Sequence, residues 1–238
     1  MACEVKNLYA GYGEMVVVHD VSINLTRGEK VALIGPNGAG KTTLIHTLVG
    51  LLKPIKGTVL IFGNDIRDLE PHEISDLGVS LIPEGGRIFP RLTVLENILV
   101  SVPSQGKNSF SLEEIFKVFP ILKDRKDQLA GTLSGGEQRM LAIARSIARS
   151  PKLLIIDELS LGLAPKALST IYNSVNELWE TTGMSILITE QFIKRALEFS
   201  HRAYLIEQGS IVLEGQSHEL LESEHVRKAY LGYAERGL

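Results

Sequence analysis

The sequence predicts an α/β fold, with a mixed, mainly parallel sheet, an N-terminal antiparallel β subdomain and an inserted helical lobe. Three observations lead to this prediction. Short apolar or alternating segments typical of strands recur along the chain and are interspersed with segments of helical periodicity. A glycine-rich loop joins one apolar segment directly to a helical one. A run of helical patterns over 84–150 interrupts the alternation, which indicates an inserted lobe and not a separate domain.

The antiparallel subdomain is predicted from the first 25 residues. Segments 4–9 and 21–25 alternate between apolar and polar side chains, and 15–18 is a mostly β-branched apolar run. We therefore expect three short strands that form an antiparallel edge. Lys30–Ile34 is then a compact apolar strand, and the helix after the glycine-rich loop is predicted over 41–51.

The rest of the chain is predicted from the same two periodicities. Strands are expected at 58–62, 78–82, 153–156, 185–189 and, as a hairpin that turns at Gln208 and Gly209, at 202–206 and 210–213. Helices are expected at 93–101, 112–119, 137–148, 163–179 and 192–200. We predict a single domain over 1–238, in which 1–83 and 151–238 form the core and 84–150 forms the helical lobe.

Composition excludes several classes of protein. Hydrophobic residues make up 44% of the 238 residues and charged residues 22%, which is ordinary globular usage. A net charge of −3 gives no general attraction for nucleic acid, so we expect no nucleic-acid partner. The one cysteine rules out an intrachain disulfide framework. No apolar run approaches the roughly 18 residues of a membrane span, and no signal-peptide pattern is expected at the start.

The glycine-rich loop matches the phosphate-binding motif G-x-x-x-x-G-K-[ST] at every fixed position. The matching residues are Gly35, Pro36, Asn37, Gly38, Ala39, Gly40, Lys41 and Thr42. Glycines let backbone amides approach phosphate oxygens, and the following helix adds its positive N-terminal end. Lys41 is therefore expected at the β- and γ-phosphates, with Thr42 on Mg²⁺ and Thr43 beside it. A glycine-rich turn with an unrelated lysine is the disfavoured alternative, because strand and helix flank the loop as the motif requires.

A second polar element follows the most apolar predicted strand. Asp157 and Glu158 come directly after this strand, at the sheet edge where α/β proteins bind ligands. Asp157 is expected to hold Mg²⁺, and Glu158 to polarise the water that attacks the γ-phosphate. By itself the pattern is weak and fits a solvated strand end better. The preceding phosphate loop favours the catalytic interpretation, and the set predicts a P-loop NTPase core.

The segment Leu133-Ser134-Gly135-Gly136-Glu137-Gln138 opens a predicted helix between these two elements. With the phosphate loop and the Asp-Glu strand in this order, the chain resembles the ABC (ATP-binding cassette) ATPases over essentially its whole length. The resemblance implies a head-to-tail dimer in which Ser134, Gly135 and Gly136 of one chain bind the γ-phosphate held by the other. It also implies that Tyr12 stacks on adenine and that 160–163 communicates across the dimer.

Two positions depart from the general pattern of that family. Glu84 stands where most members carry a glutamine, in the loop that joins the sheet core to the helical lobe, and we expect it at the metal. Gln191 stands where most members carry a histidine that contacts the γ-phosphate. Either the site only binds nucleotide, or the chain belongs to an active subfamily. The second interpretation is favoured because Lys41, Thr42 and the Asp157-Glu158 pair are all intact. The segments around Glu84 and Gln191, together with 160–165, resemble ATPase subunits of branched-chain amino-acid importers, and urea-importer subunits look similar there.

The resemblance implies a motor subunit that binds ATP and Mg²⁺ on the cytoplasmic face of a membrane, with Lys41, Glu158 and Gln191 as catalytic residues. Its implied partners are membrane permease subunits, a second ATPase chain or another copy of itself, and indirectly an extracytoplasmic solute-binding protein. Three alternatives remain open: an importer ATPase for urea or another polar solute, a soluble ABC-type ATPase unrelated to transport, and a nucleotide-binding regulator without turnover.

Overall fold

The computed structural model describes residues 1–102, 110–160, 162–223 and 226. Ten strands form two sheets within these ranges. In chain order they are β1 (Cys3–Tyr12), β2 (Met15–Leu25), β3 (Lys30–Ile34), β4 (Lys56–Ile61), β5 (Asn64–Asp65), β6 (Val79–Ile82), β7 (Leu153–Asp157), β8 (Ser185–Glu190), β9 (Arg202–Glu207) and β10 (Ser210–Gln216).

The helices of the described residues are mostly short. They are α1 (Lys41–Leu48), α2 (Pro71–Asp76), α3 (Val94–Leu99), α4 (Leu112–Val118), α5 (Pro120–Asp124), α6 (Gly135–Ile147), α7 (Pro165–Thr182), α8 (Ile193–Phe199) and α9 (Ser217–Glu222), with a 3-10 turn at Ala130–Thr132. Helices α3 to α6 fall within the predicted lobe. Among the described residues, none of the helices combines the length and the apolar character needed to cross a membrane.

The two sheets confirm the predicted fold class. The smaller sheet has the order β2-β1-β4-β5 and is antiparallel throughout. The larger sheet has the order β10-β9-β3-β8-β7-β6; its strands are parallel except β10, which forms the expected hairpin with β9. Because β3, β7 and β8 lie side by side and parallel, the residues that follow them all emerge at one edge of the sheet.

The larger sheet is buried on both faces, which explains why its central strands are apolar without alternation. In β3, Val31 and Leu33 face a cluster formed with α1 and the smaller sheet. Ala32 and Ile34 face a second cluster, formed with the lobe helices, α7 and α8. The strand that carries the phosphate loop is therefore fixed between two hydrophobic layers.

The prediction of two separate strands at 15–18 and 21–25 is wrong. Strand β2 runs unbroken along β1 from Met15 to Leu25, with irregular register in the middle. Asn7 and Asp20 both adopt positive φ there, and the Asn7 amide donates a 3.0 Å hydrogen bond to the Asp20 carboxylate. The bulged pairing absorbs the break in periodicity that had suggested two strands.

Several predicted boundaries are also corrected. Helix α1 ends at Leu48, three residues early, because the chain turns at Gly50 with φ 76°. Helix α7 begins at Pro165 and extends to Thr182, where Gly183 ends it in the left-handed conformation. Four short elements were not predicted, because their few residues carry little periodic signal: β5, α2, α5 and α9.

Candidate active site

A cavity of about 460 Å³ opens where β3 and β7 end. It brings together Tyr12, the phosphate loop, Glu84 and Glu158, which the sequence analysis had assigned to one nucleotide site. The described residues that line it are Tyr12, Met15, Val17, Asn37, Gly38, Gly40, Lys41, Thr42, Thr43, Glu84 and Glu158. Tyr12 is half-exposed at the end of β1, so its ring is free to contact a ligand in the cavity.

The phosphate loop is held in a conformation that glycine favours. Gly38 and Gly40 have φ values of 77° and 103°, and Gly40 is the residue before α1. A Cβ atom on Gly35 would lie 2.2 Å from the Ile206 carbonyl oxygen, so only glycine fits there. The Lys41 ammonium is buried and donates to the carbonyl oxygens of Gly35 (2.8 Å) and Pro36 (3.0 Å), so the lysine folds back over its own loop.

The Thr42 hydroxyl, on a residue that lines the cavity, contacts the buried Asp157 carboxylate, and both groups offer oxygens suited to Mg²⁺. The Thr42 hydroxyl donates to Asp157 Oδ2 at 3.1 Å, and the Thr189 hydroxyl donates to Asp157 Oδ1 at 2.6 Å. The described residues contain no cluster of three or more His, Cys, Asp or Glu side chains that could hold a metal by itself. This donor set suits Mg²⁺, which is commonly held by one or two protein oxygens together with substrate phosphates.

Glu158 is fixed by its backbone. It has a φ of 50°, and its N–H group donates to both the carbonyl (3.2 Å) and the hydroxyl (3.1 Å) of Thr189 on the neighbouring strand. Its Oε1 atom lies 3.5 Å from the Lys41 ammonium. A non-glycine residue in this conformation is uncommon and is often found at functional sites. The Glu158 carboxylate therefore lies beside the Lys41 ammonium, the group expected to contact the γ-phosphate.

Ser134, Gly135 and Gly136 lie outside the cavity lining, at the start of α6. Ser134 forms a capping box with Glu137, in which each side chain accepts from the other residue's backbone N–H group (3.4 Å and 2.8 Å). Ser134 and Gly135 are exposed, whereas a Cβ atom on Gly136 would lie 3.0 Å from that of Ala167. Within one chain, the structure does not join these residues to the phosphate loop.

Gln191 is exposed and is not part of the cavity lining. It follows β8, whose last residue Glu190 pairs with Ile34 of β3. Gln191 and Gly35 therefore leave the sheet side by side. In the expected inter-chain loop 160–163, Leu161 lies outside the described residues, and Ser160 is buried.

The sequence analysis assigned no role to three buried residues that the structure places at this edge. Thr189 binds Asp157, Glu190 binds Ser160, and Arg139 of α6 donates to the Pro83 carbonyl at 3.4 Å. Burial lowers the pKa of Arg139, and the surrounding carboxylates, Glu190 first among them, oppose that shift. The position of Thr189 and Glu190 at a strand end could have indicated them; nothing in the sequence pattern singled out Arg139.

The phosphate loop, the Thr42–Asp157 pair and the adjacent Glu158 define a P-loop nucleoside triphosphatase. A sequence model of the family described as "ABC transporter" matches residues 18–160. The chain therefore belongs to the ABC transporter family, as an ATP-binding and ATP-hydrolysing member.

Curated relatives match nearly the whole chain. The high-affinity branched-chain amino acid transport ATP-binding protein BraG of Pseudomonas aeruginosa is 41% identical, covering 93% of this chain and 95% of the relative. The probable branched-chain amino acid transport ATP-binding protein LivF of Archaeoglobus fulgidus is 35% identical, covering 96% and 98%. The lipopolysaccharide export system ATP-binding protein LptB of Escherichia coli is also 35% identical, covering 95% of each chain.

Solved structures agree with this assignment. The ADP conformation of MJ1267, an ATP-binding cassette of an ABC transporter, superposes with a TM-score of 0.80 at 30% identity, covering 97% of this chain and 98% of the other. A dimeric post-hydrolysis state of the cassette MJ0796, bound to ADP and Pi, has a TM-score of 0.79 at 25% identity, covering 90% and 98%. The predicted resemblance to ABC ATPases is confirmed.

Proposed function

We propose that this chain is the motor subunit of a membrane importer for branched-chain amino acids, acting on the cytoplasmic face of the membrane. The observation that carries the ATPase part of the proposal is the convergence of Lys41, Thr42 and Glu158 at one cavity, where Thr42 is hydrogen-bonded to Asp157. The substrate class rests on the similarity to BraG and LivF.

Nucleotide binding follows from the geometry of the cavity. The adenine stacks on the exposed Tyr12 ring, and the loop amides and the start of α1 surround the phosphates. The Lys41 ammonium leaves the Gly35 and Pro36 carbonyl oxygens for the β- and γ-phosphates, because phosphate oxygens carry more negative charge than carbonyl oxygens. Glu158, which already lies against Lys41, accepts a proton from the attacking water.

Thr42 and Asp157 would hold Mg²⁺, together with Glu84, which also lines the cavity. When bound with the triphosphate, Mg²⁺ neutralises charge that develops on the phosphate oxygens. Thr189 orients the Asp157 carboxylate by its 2.6 Å hydrogen bond. The same threonine holds the backbone of Glu158, so one side chain aligns both carboxylates.

The exposed helix start at Ser134 and Gly135 supports a head-to-tail dimer. A serine hydroxyl with free amides at a helix N-terminus suits an anion, and these groups do not reach their own phosphate loop. In the proposed dimer they bind the γ-phosphate held by the second chain, which is either a copy of this chain or a sibling ATPase. ATP then joins the two chains, and hydrolysis releases them.

Gln191 is proposed to donate a hydrogen bond to the γ-phosphate in place of the usual histidine. We expect Gln191→His to keep ATP turnover within roughly tenfold of wild type, about 1.4 kcal/mol, because both side chains can donate. Gln191→Ala, which removes the donor, should be the slower of the two variants. Steady-state ATPase assays measure both, and a loss well beyond tenfold in the histidine variant would contradict the role.

A groove of about 400 Å³ between the core and the helical lobe is the proposed docking site for a permease. Leu51, Phe89 and Val100 line it and are each roughly half-exposed. Arg145 also lines it, stacked over the Phe89 ring at 5.1 Å. The Nη1 atom of Arg145 is buried without a hydrogen-bond partner among the described residues. An apolar cytoplasmic segment of a permease that carries a carboxylate would fill the groove and pair with this arginine.

Reversal of the charge at this position tests the docking site. We expect Arg145→Glu to abolish co-purification with the permease, because the apolar groove would then place a carboxylate against a carboxylate. Arg27→Glu is the matched control, since Arg27 is exposed and is not among the residues that line the groove. Nucleotide binding and the unfolding midpoint check that both variants fold. Retention of the permease by Arg145→Glu would place docking elsewhere.

The importer role is tested by affinity purification of the tagged chain from detergent-solubilised native membranes. Two polytopic permeases, with or without a second ATPase chain, would support the proposal. A solute-binding protein that belongs with them could be screened against leucine, isoleucine, valine and urea, which separates the two importer alternatives. Recovery only from the soluble fraction, with ribosomal or DNA-repair proteins, would overturn the transport role and leave the ATPase assignment intact.

A further inference from the structure

Glu190, the last residue of β8, is a fully buried carboxylate next to the proposed active site. Among the described residues, no basic side chain lies within ion-pair distance of it. Burial raises its pKa, and hydrogen bonds from Ser160 and Tyr172 oppose that shift. The nearby Arg139 interacts with it electrostatically but forms no direct ion pair with it. A buried carboxylate without a direct ion pair is costly, so an apolar side chain would be more favourable at a position needed only for packing.

Three donors converge on this carboxylate. The Ser160 N–H group donates to Oε1 at 3.0 Å and the Ser160 hydroxyl donates to Oε2 at 2.5 Å. The Tyr172 hydroxyl of α7 donates to Oε1 at 2.8 Å. Ser160 is thus held by both its backbone and its side chain, and α7 is joined to the same point.

Glu190 lies between residues that hold or contain several of the groups expected to act at the γ-phosphate. Its neighbour Thr189 binds Asp157 and the backbone of Glu158, and its other neighbour is Gln191. Ser160 lies two residues beyond Glu158, whose backbone is already held in an uncommon conformation. Thr189 therefore holds the backbone at Glu158, the proposed base, and Glu190 holds the chain two residues later, at Ser160.

We propose that Glu190 is a positioning residue for ATP hydrolysis. By holding the backbone N–H group and the hydroxyl of Ser160, it keeps the chain after Glu158 in place, so that the Glu158 carboxylate faces the γ-phosphate. The inference rests on the proposed role of Glu158 as base. It assigns the residue before Gln191 to alignment, without contact to the nucleotide.

The test compares Glu190→Ala with Glu190→Gln in the full-length chain. The alanine variant removes every acceptor, so we expect kcat to fall roughly 10- to 100-fold while KM for ATP stays within about threefold. The glutamine variant should keep kcat within about threefold, because its amide oxygen accepts from the Ser160 N–H group and Tyr172 while its NH₂ group donates to the Ser160 hydroxyl. This rescue by a neutral isostere distinguishes positioning from charge.

A milder variant covers the case in which Glu190→Ala fails to fold. Ser160→Ala removes one of the three hydrogen bonds without emptying the core, and it should lower kcat several-fold at unchanged KM. Ser200→Ala is the matched control, because Ser200 is also a buried hydroxyl but bonds to Ala196 and Ser217, away from the site. Its kcat should equal that of wild type.

The outcomes separate this inference from the proposed base. Folded Glu190→Ala with wild-type kcat would overturn the positioning role, as would Glu190→Gln as slow as Glu190→Ala. Glu158→Gln is assayed in parallel. If it hydrolyses ATP normally, the proposed base is wrong; if it is inactive while Glu190→Ala is unaffected, only the positioning role fails.

Discussion

Replacement of Glu158 by glutamine is expected to lower ATP turnover by at least about 100-fold, the range typical of a lost general base. Glutamine has the same shape and keeps the backbone hydrogen bonds to Thr189, so the cavity should survive. It cannot accept the proton from the attacking water at neutral pH. Lys41, Thr42 and Asp157 remain, and ATP should therefore still bind.

A binding-competent but inactive site should accumulate as an ATP-bound dimer. Size-exclusion chromatography with ATP and Mg²⁺ would detect the Glu158→Gln dimer, and a run without nucleotide would show the monomer. Glu214→Gln is the control, because it makes the same change on the exposed edge strand β10. Normal hydrolysis by Glu158→Gln would show that another group activates the water.

Replacement of Lys41 by alanine should have the second large effect, on binding instead of turnover. We expect ATP affinity to fall about 100-fold, equivalent to about 2.7 kcal/mol, because a buried ammonium that contacts two phosphates is lost. The fold should tolerate the change, since Lys41 begins α1 and alanine is the best helix former. Isothermal titration with a non-hydrolysable ATP analogue measures the loss.

The loss of binding must be separated from a general effect of charge. Lys6→Ala removes an equal charge from an exposed position on β1 and should bind the analogue as the wild type does. The unfolding midpoint of Lys41→Ala, measured without nucleotide, checks the integrity of the loop. An affinity within threefold of wild type would mean that the lysine stays on the Gly35 and Pro36 carbonyl oxygens in the bound state.

Contiguous motifs made much of the site predictable. Gly35 to Thr43 form a single stretch of chain, and the strand before them and the helix after them are set by local apolar periodicity. Asp157 and Glu158 were identifiable because a strand buried on both faces ends there. In both cases the chemistry and its structural context lie within a few residues of each other.

Contacts between distant segments were not predictable in the same way. Arg139 reaches the Pro83 carbonyl across 56 positions of sequence, and Glu190 reaches Ser160 across 30. Neither residue type is unusual for its local pattern. These contacts depend on the sheet register, which pairs Asp157 with Thr189 and Ile34 with Glu190. The register in turn depends on side-chain packing over whole strands.

The sequence by itself determined the fold class, the phosphate loop and the family resemblance, because these depend on local periodicity and on residues adjacent in the chain. It also identified the substitutions at Glu84 and Gln191. Only the tertiary structure decided that one long strand, β2, replaces two short ones and that Glu190 joins Ser160 to α7. It also decided that the buried Nη1 atom of Arg145 finds no hydrogen-bond partner within the part of the chain that the structure describes. These features arise from strand pairing, hydrogen bonds and burial between residues far apart in the chain, and such contacts produce no periodic pattern in the sequence.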